Sequence, residues 1–326
     1  MKKLLRYGLI AVLFLFLLIG GLLTYVSTAL PNVGPAPEMH IELTPQRIAR
    51  GEYLANHVMQ CMECHAVRDF SLFAGPPIPG TGGAGGDVFG RDFGFPGEYV
   101  AKNITPYGVG DWTDGELYRA ITTGVSKDGK ALFPIMPYPR FGTSDPEDIK
   151  SVIAYIRTLE PIEKDVEPSV SDFPMNFIIN TMPDKFEPTA LPNPEDRLAY
   201  GAYITNASLC GDCHTKTEKG EVVGEPYAGG FEFKLPGNTI IRSANITPDE
   251  ETGIGLWTRE EFIERFKHYD HPENREMKVK PGSFQTIMPW MTYSGMTEQD
   301  LGAIYDYLRT VKPVKNTVKT FQAGKK

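Results

Sequence analysis

Cysteine is scarce in this chain, four in 326 residues. All four fall in two short segments, Cys61-Met62-Glu63-Cys64-His65 and Cys210-Gly211-Asp212-Cys213-His214, so none is left over for a structural disulfide. Long hydrophobic runs are as rare: beyond one stretch near the N-terminus the sequence is too polar for a further membrane span. No Gly-x-Gly-x-x-Gly or phosphate-loop sequence stands in a strand-to-helix context. The glycines of the Gly- and Pro-rich segment 75–97 read instead as loop chemistry, which permits positive φ and close approach to a large flat ligand. The basic excess of a nucleic-acid binder is also missing. Lys and Arg number 33 against 41 Asp and Glu, a formal charge of −8, which suits a protein partner with a positive docking face.

What is present begins with the hydrophobic run. Lys2, Lys3 and Arg6 precede apolar residues from Gly8 to Val26, and charge does not return until Glu38. As a helix, residues 8–26 span about 28 Å, close to the roughly 30 Å hydrocarbon thickness of a bilayer. Residues 1–30 are therefore expected to be a single-pass anchor, with the basic flank in the cytoplasm and the rest on the periplasmic side of a bacterial inner membrane. A cleaved signal peptide is the competing reading, with Ser27-Thr28-Ala29 as a small-residue site. The run exceeds the usual signal core of about 7–15 residues, which favours a retained anchor. Pro31, Pro35 and Pro37 mark residues 31–44 as an extended tether.

Each Cys-x-x-Cys-His reads as covalent c-type haem attachment: two thiols form thioethers to the porphyrin and the histidine ligates iron. A four-thiolate zinc site or a thioredoxin-like dithiol would use the same cysteines. Neither explains a histidine after both pairs, and the dithiol reading lacks a βαβ context.

The two halves repeat. Gly51-Glu52-Tyr53-Leu54 answers Gly201-Ala202-Tyr203-Ile204, and Ala84-Gly85-Gly86 answers Ala228-Gly229-Gly230. Asn103-Ile104-Thr105-Pro106 answers Asn245-Ile246-Thr247-Pro248, and Gly110-Asp111-Trp112-Thr113 answers Gly255-Leu256-Trp257-Thr258. Ile135-Met136-Pro137 pairs with Ile287-Met288-Pro289, and related helices close each half, Ile153 to Pro161 and Tyr305 to Pro313. The expected fold is all-α, two tandem class I-like cytochrome c domains with long loops behind the N-terminal helix. The first domain covers 45–162, a strap 163–193, the second domain 194–316 and a tail 317–326. Pro45 starts a helix carrying Ile48, Tyr53, Leu54 and Val58 toward Cys61. Asp145 or Pro146 starts the first closing helix. Thr297-Glu298-Gln299-Asp300 predicts a capping box at the second, with Asp300 at N3.

Met136 and Met288 are the candidate distal ligands opposite His65 and His214. A thioether is a soft ligand that favours ferrous iron and raises the potential. Core packing is the bland alternative for a methionine, Met291 and Met296 compete with Met288, and His268 or His271 offers a nitrogen. Trp112 and Trp257 suit core packing or haem contact. Asn103 and Asn245 suit a propionate contact or a local turn cap. Arg140 suits a propionate partner or an exposed charge.

This ordered set of motifs, from Cys-x-x-Cys-His through Ala-Gly-Gly, Asn-Ile-Thr-Pro, Trp-Thr and Met-Pro to the Arg-Thr-x-x-Pro ending, covers most of residues 45–315. It resembles the duplicated cytochrome c domains in multihaem subunits of bacterial membrane-bound alcohol, aldehyde and gluconate dehydrogenases. The resemblance implies two haem c groups held by Cys61, Cys64, Cys210 and Cys213, with axial pairs His65/Met136 and His214/Met288. It also implies electron transfer from a respiratory or periplasmic dehydrogenase to a downstream cytochrome or terminal oxidase; two six-coordinate haems can do this without binding a substrate, so catalysis is not required at either iron. The family's subunits generally have three haem domains, whereas this chain has two motifs. A haem enzyme, such as a peroxidase or thiosulfate-oxidising cytochrome, and a haem-bearing structural subunit are the alternative functions.

Overall fold

A computed structural model describes residues 2–235, 239–280 and 282–324; the first residue of the anchor segment and the last two of the tail lie outside these. The apolar N-terminal run forms one helix, α1 (Lys2–Thr28). It is long and apolar enough to cross a membrane, and Leu13, Phe14 and Leu17 among its side chains stand exposed.

The first half then runs α2 (Pro45–Tyr53), a π-helical turn (Leu54–Val58), α3 (Cys61–Cys64), β1 (Val88–Phe89), β2 (Gly97–Val100), α4 (Pro106–Val109), α5 (Asp114–Thr123), α6 (Tyr138–Phe141) and α7 (Pro146–Thr158). The strap contributes β3 (Val170–Ser171) and α8 (Met175–Ile178). The second half runs α9 (Arg197–Ala207), α10 (Cys210–His214), β4 (Thr217–Glu218), β5 (Glu221–Val222), β6 (Glu232–Leu235), β7 (Thr239–Arg242), α11 (Arg259–Lys267), α12 (Pro272–Arg275), α13 (Trp290–Ser294) and α14 (Glu298–Leu308), followed by β8 (Phe321–Gln322).

The expectation of helices and loops alone omitted three small antiparallel sheets among the described residues, ordered β1-β2-β3, β4-β5 and β6-β7-β8. Two of them fasten the strap and the tail to the halves. Strap residue Ser171 pairs with Gly97, and tail residue Phe321 pairs with Ile241. Strands this short leave little periodic signal in the sequence.

Helix starts follow local chemistry. Thr44 caps α2 ahead of Pro45, and Asp145 caps α7 ahead of Pro146. Thr113 with Glu116 and Thr258 with Glu261 close reciprocal capping boxes on α5 and α11. At α14 only half of the expected box forms. Asp300 N–H donates to Thr297 Oγ1 at 3.1 Å, but the Asp300 carboxylate accepts from tyrosine hydroxyls instead of the Thr297 N–H.

In each half the helix before the haem motif crosses the closing helix at a glycine. A Cβ on Gly51 would lie 1.8 Å from the Ser151 carbonyl oxygen, and one on Gly201 would lie 2.1 Å from that of Ala303. This close approach buries Leu54, Val58, Ile149 and Ile153 in the first half and Ile204, Leu301, Ile304 and Leu308 in the second, all within one continuous cluster. Each such side chain contributes about 1.5–3 kcal/mol of burial. The halves dock reciprocally: α13 packs on the π-helical turn before α3, and α6 packs on α9.

Candidate haem-attachment sites

Both motif helices begin after a residue in the left-handed region, Gln60 at φ 57° and Leu209 at φ 60°. The same unusual turn therefore presents both Cys-x-x-Cys-His segments. The four thiols are unpaired. Burial pushes Cys61 and Cys64 up to about 12 and Cys210 up to about 11, while Cys213 is exposed. A reactive dithiol needs the opposite shift. Among the described residues no group of three His, Cys, Asp or Glu side chains is placed to hold a metal ion, so the two pairs do not combine into a four-thiolate site.

The histidines carry the most informative geometry. His65 Nδ1 lies 2.6 Å from the Lys102 carbonyl oxygen, and His214 Nδ1 lies 2.7 Å from that of Ala244. A carbonyl only accepts, so Nδ1 carries the proton and Nε2 keeps its lone pair. Burial pushes both imidazoles down, opposed by those carbonyl bonds, which favours the neutral form that a metal requires.

The repeated loop motifs build this contact. Lys102 and Ala244 immediately precede the Asn-Ile-Thr-Pro segments. Asn103 Oδ1 accepts from the Thr105 N–H and hydroxyl, while its Nδ2 donates to the carbonyls of Ile162 and Lys164. Asn245 Oδ1 does the same for Thr247, and its Nδ2 donates to the Val314 carbonyl and the Thr252 hydroxyl. Both amides are thus turn clamps tied to the segment after the closing helix, with their donors committed within the protein. Gly85 N–H donates to the His65 carbonyl, and Gly229 N–H to that of His214. Gly85 sits at φ +67° and Gly229 at φ +73°, and a Cβ on either would fall within about 2.5 Å of the carbonyls that face the histidines.

Met136 and Met288 remain partly accessible where they pack against the main core. Their competitors are committed elsewhere: Met296 is fully buried in that core, and Met291 packs with Phe73 and Tyr269. His268 and His271 are exposed. Trp112 packs against the core, whereas Trp257 is 37% exposed. Arg140 is an exposed charge, one of its two expected roles, and it has a partner. Its Nε donates to Asp212 Oδ1 of the other half's motif at 2.7 Å.

The reciprocal counterpart of that pair joins Thr292 and Glu63, where the threonine hydroxyl donates to a carboxylate 4% exposed. Burial raises the Glu63 carboxyl, opposed by Arg68 and Thr292. These partners were missed at the sequence level, although Glu63 and Asp212 hold equivalent places inside the two motifs. The motifs are themselves neighbours: Gln60 Nε2 reaches the Ser208 carbonyl oxygen at 3.4 Å, and the Tyr293 hydroxyl bonds to that carbonyl as well.

In each motif two thiols and an imidazole with Nε2 available stand together, a donor set that suits covalent haem attachment. Cys61, Cys64, His65 and His214 keep accessible surface while enclosed by protein, as expected of residues lining an opening. Two surface hollows of about 430 Å³, one beside Arg197 and Arg259 and one beside Glu52 and Asn56, border neither motif.

No family model matches the chain. It is 28% identical over 290 residues to the cytochrome c subunit of a quinone alcohol dehydrogenase from Gluconacetobacter polyoxogenes, covering 82% of this chain and 56% of that one. It is 27% identical to the gluconate 2-dehydrogenase cytochrome c subunit of Pantoea cypripedii, over 84% of this chain and 62% of that one. A diheme cytochrome c-type protein of Cereibacter sphaeroides is 29% identical over 190 residues, 55% of this chain and 60% of its own length. The chain spans about half the length of the first of these relatives. The motifs and these likenesses together place the chain's resemblance among c-type cytochromes. More particularly, the chain resembles the cytochrome c subunits of quinone alcohol, gluconate and fructose dehydrogenases.

Proposed function

We propose that the chain is a membrane-anchored dihaem cytochrome c that carries electrons from a periplasmic or respiratory dehydrogenase to a downstream cytochrome or terminal oxidase. Cys61 and Cys64 would hold one haem and Cys210 and Cys213 the other, in domains at 45–162 and 194–316. Haem iron supplies one-electron exchange between ferric and ferrous states. The observation that carries this reading is the matched Nδ1-to-carbonyl bond at His65 and His214, which prepares two equivalent nitrogen donors.

The chain's own residues do the rest. The carbonyls of Lys102 and Ala244 orient the imidazoles and raise their basicity. Met136 and Met288 would close the distal faces, leaving no position for a substrate. The adjacent motifs favour passage of an electron between halves through packed protein, and the acidic surface suits a basic docking face on a partner. The helix α1 would cross the inner membrane with residues after 30 on the periplasmic side, a reading supported by its basic flank and apolar length.

Two covalent haems per chain in a pyridine haemochrome assay, and a ferric band near about 695 nm diminished separately in Met136→Ala and Met288→Ala, are the expected results for sulfur ligation. One haem per chain, or a band unaffected by either substitution, overturns the assignment.

A further inference from the structure

The strap between the halves lies against the C-terminal end of α1. Asn180 Nδ2 donates to the Val26 carbonyl oxygen at 3.3 Å, and both α8 and the 3-10 turn Ile179–Thr181 pack on the helix. Leu23 and Val26, three residues apart on one face of α1, are partly covered, whereas Leu22 and Tyr25 are each 57% exposed. Val26 is also where the apolar run ends. The strap therefore sits at the depth where a spanning helix leaves the hydrocarbon.

Its composition matches that depth. No charged residue occurs from Phe173 to Pro183. Phe173 is 80% exposed and Ile178 42% exposed, although Phe177 packs edge-on against Phe173 at a centroid distance of 6.3 Å. Water contact at two large apolar side chains is costly on a segment with no charge to offset it. The segment is also held in place: β3 pairs with β2, and Arg91 Nε donates to Asp172 Oδ2 at 2.8 Å. Exposure here is thus a feature of a fastened element, continuous with the membrane-spanning surface of α1.

We propose that Phe173 and Ile178 insert into the outer-leaflet boundary of the same bilayer that α1 crosses, as a second, monotopic attachment. Aromatic and aliphatic side chains are favoured at the junction of headgroups and acyl chains. Two attachments fix the tilt of the motif-bearing halves over the membrane, whereas a single helix and the tether 31–44 leave it free. The occupant is lipid because the patch adjoins the span directly and carries no charge to match a protein partner's rim.

This inference rests on the proposal that α1 spans the membrane, and the test separates the two. Phe173→Cys, Ile178→Cys and Tyr25→Cys are made singly in the full chain, spin-labelled and reconstituted into phosphatidylcholine–phosphatidylglycerol vesicles. Power saturation with oxygen and with a water-soluble nickel chelate then reads depth. Labels at 173 and 178 are expected to favour oxygen over nickel at interfacial depth, with the label at 25 equally shielded from nickel. Nickel access at 173 and 178 with a shielded 25 overturns the strap proposal and leaves the span standing. Nickel access at 25 overturns both. Labels at 173 and 178 shielded from both reagents mean a protein cover and also overturn it.

Discussion

The Tyr203 hydroxyl donates to Asp148 Oδ2 at 2.7 Å across the boundary between the halves, and it accepts from the Asp145 N–H that starts the same helix. Tyr53 repeats the arrangement in the opposite direction, donating to Asp300 and accepting from the Thr297 N–H at 3.1 Å. Each half thereby places a tyrosine on the first turn of the other half's closing helix. The carboxylates differ in their remaining support. Asp148 also receives two bonds from Arg50, at 2.8 and 2.9 Å, whereas Asp300 receives one from the Tyr200 hydroxyl at 2.7 Å.

That difference predicts unequal losses. Tyr53→Phe strips a buried carboxylate down to one neutral side-chain donor and is expected to cost about 2–3 kcal/mol. Tyr203→Phe leaves the guanidinium in place and is expected to cost about 1–2 kcal/mol. Urea unfolding of the two single variants measures both; equal losses would contradict the asymmetry.

The tyrosines also set an alkaline limit. Burial first, then the carboxylate of Asp300, raises Tyr53 and Tyr200 above their ordinary value of 10.0, and burial with Asp148 raises Tyr203. Below about pH 10 all three are neutral folded and unfolded, so their stability contribution is complete. Above it the unfolded chain releases protons first, and each tyrosine costs up to about 1.4 kcal/mol per pH unit until its folded form ionises. Unfolding free energies between pH 9 and 12 should fall on this slope, more gently in Tyr203→Phe.

The helix crossings tolerate no side chain. Gly51→Ala would drive a methyl into the Ser151 carbonyl, and a loss above about 2 kcal/mol is expected from overpacking. Gly80→Ala is the control, since φ there is +81° with open space around it. It should cost only the left-handed strain, about 1–2 kcal/mol. Thermal or urea unfolding compares the two.

Substituting Gly85 tests the histidine support. Gly85→Ala places a Cβ 2.4 Å from the Lys102 carbonyl oxygen, so that carbonyl must retreat from His65 Nδ1. A weaker bond makes the imidazole a poorer donor. On the proposed ligation, the potential of the first centre should rise while the second stays unchanged, as read by spectroelectrochemistry. Gly229→Ala should reverse the pattern.

Particular residues mark how far the sequence could be read. The Gly51/Gly201 and Gly85/Gly229 pairs stood out in the repeat because only glycine fits where backbone meets backbone, and that constraint leaves a local trace. Asp300 did not read correctly. Its N3 position announces a capping box, but Tyr200 of α9 and Tyr53 of α2, 100 and 247 positions back in the chain, compete for the carboxylate. Arg140 looked like a propionate partner or a surface charge, and its partner Asp212 is reached only after the halves dock.

The two motifs, their duplication and the apolar helix are written in contiguous residues, since covalent attachment, chain turns and membrane crossing each depend on near neighbours. The docking of the halves belongs to the tertiary structure. It brings Gln60 to Ser208, Tyr53 to Asp300 and the strap to Val26, through contacts whose partners are chosen by the shape of the assembled surfaces and leave no spacing rule along the chain.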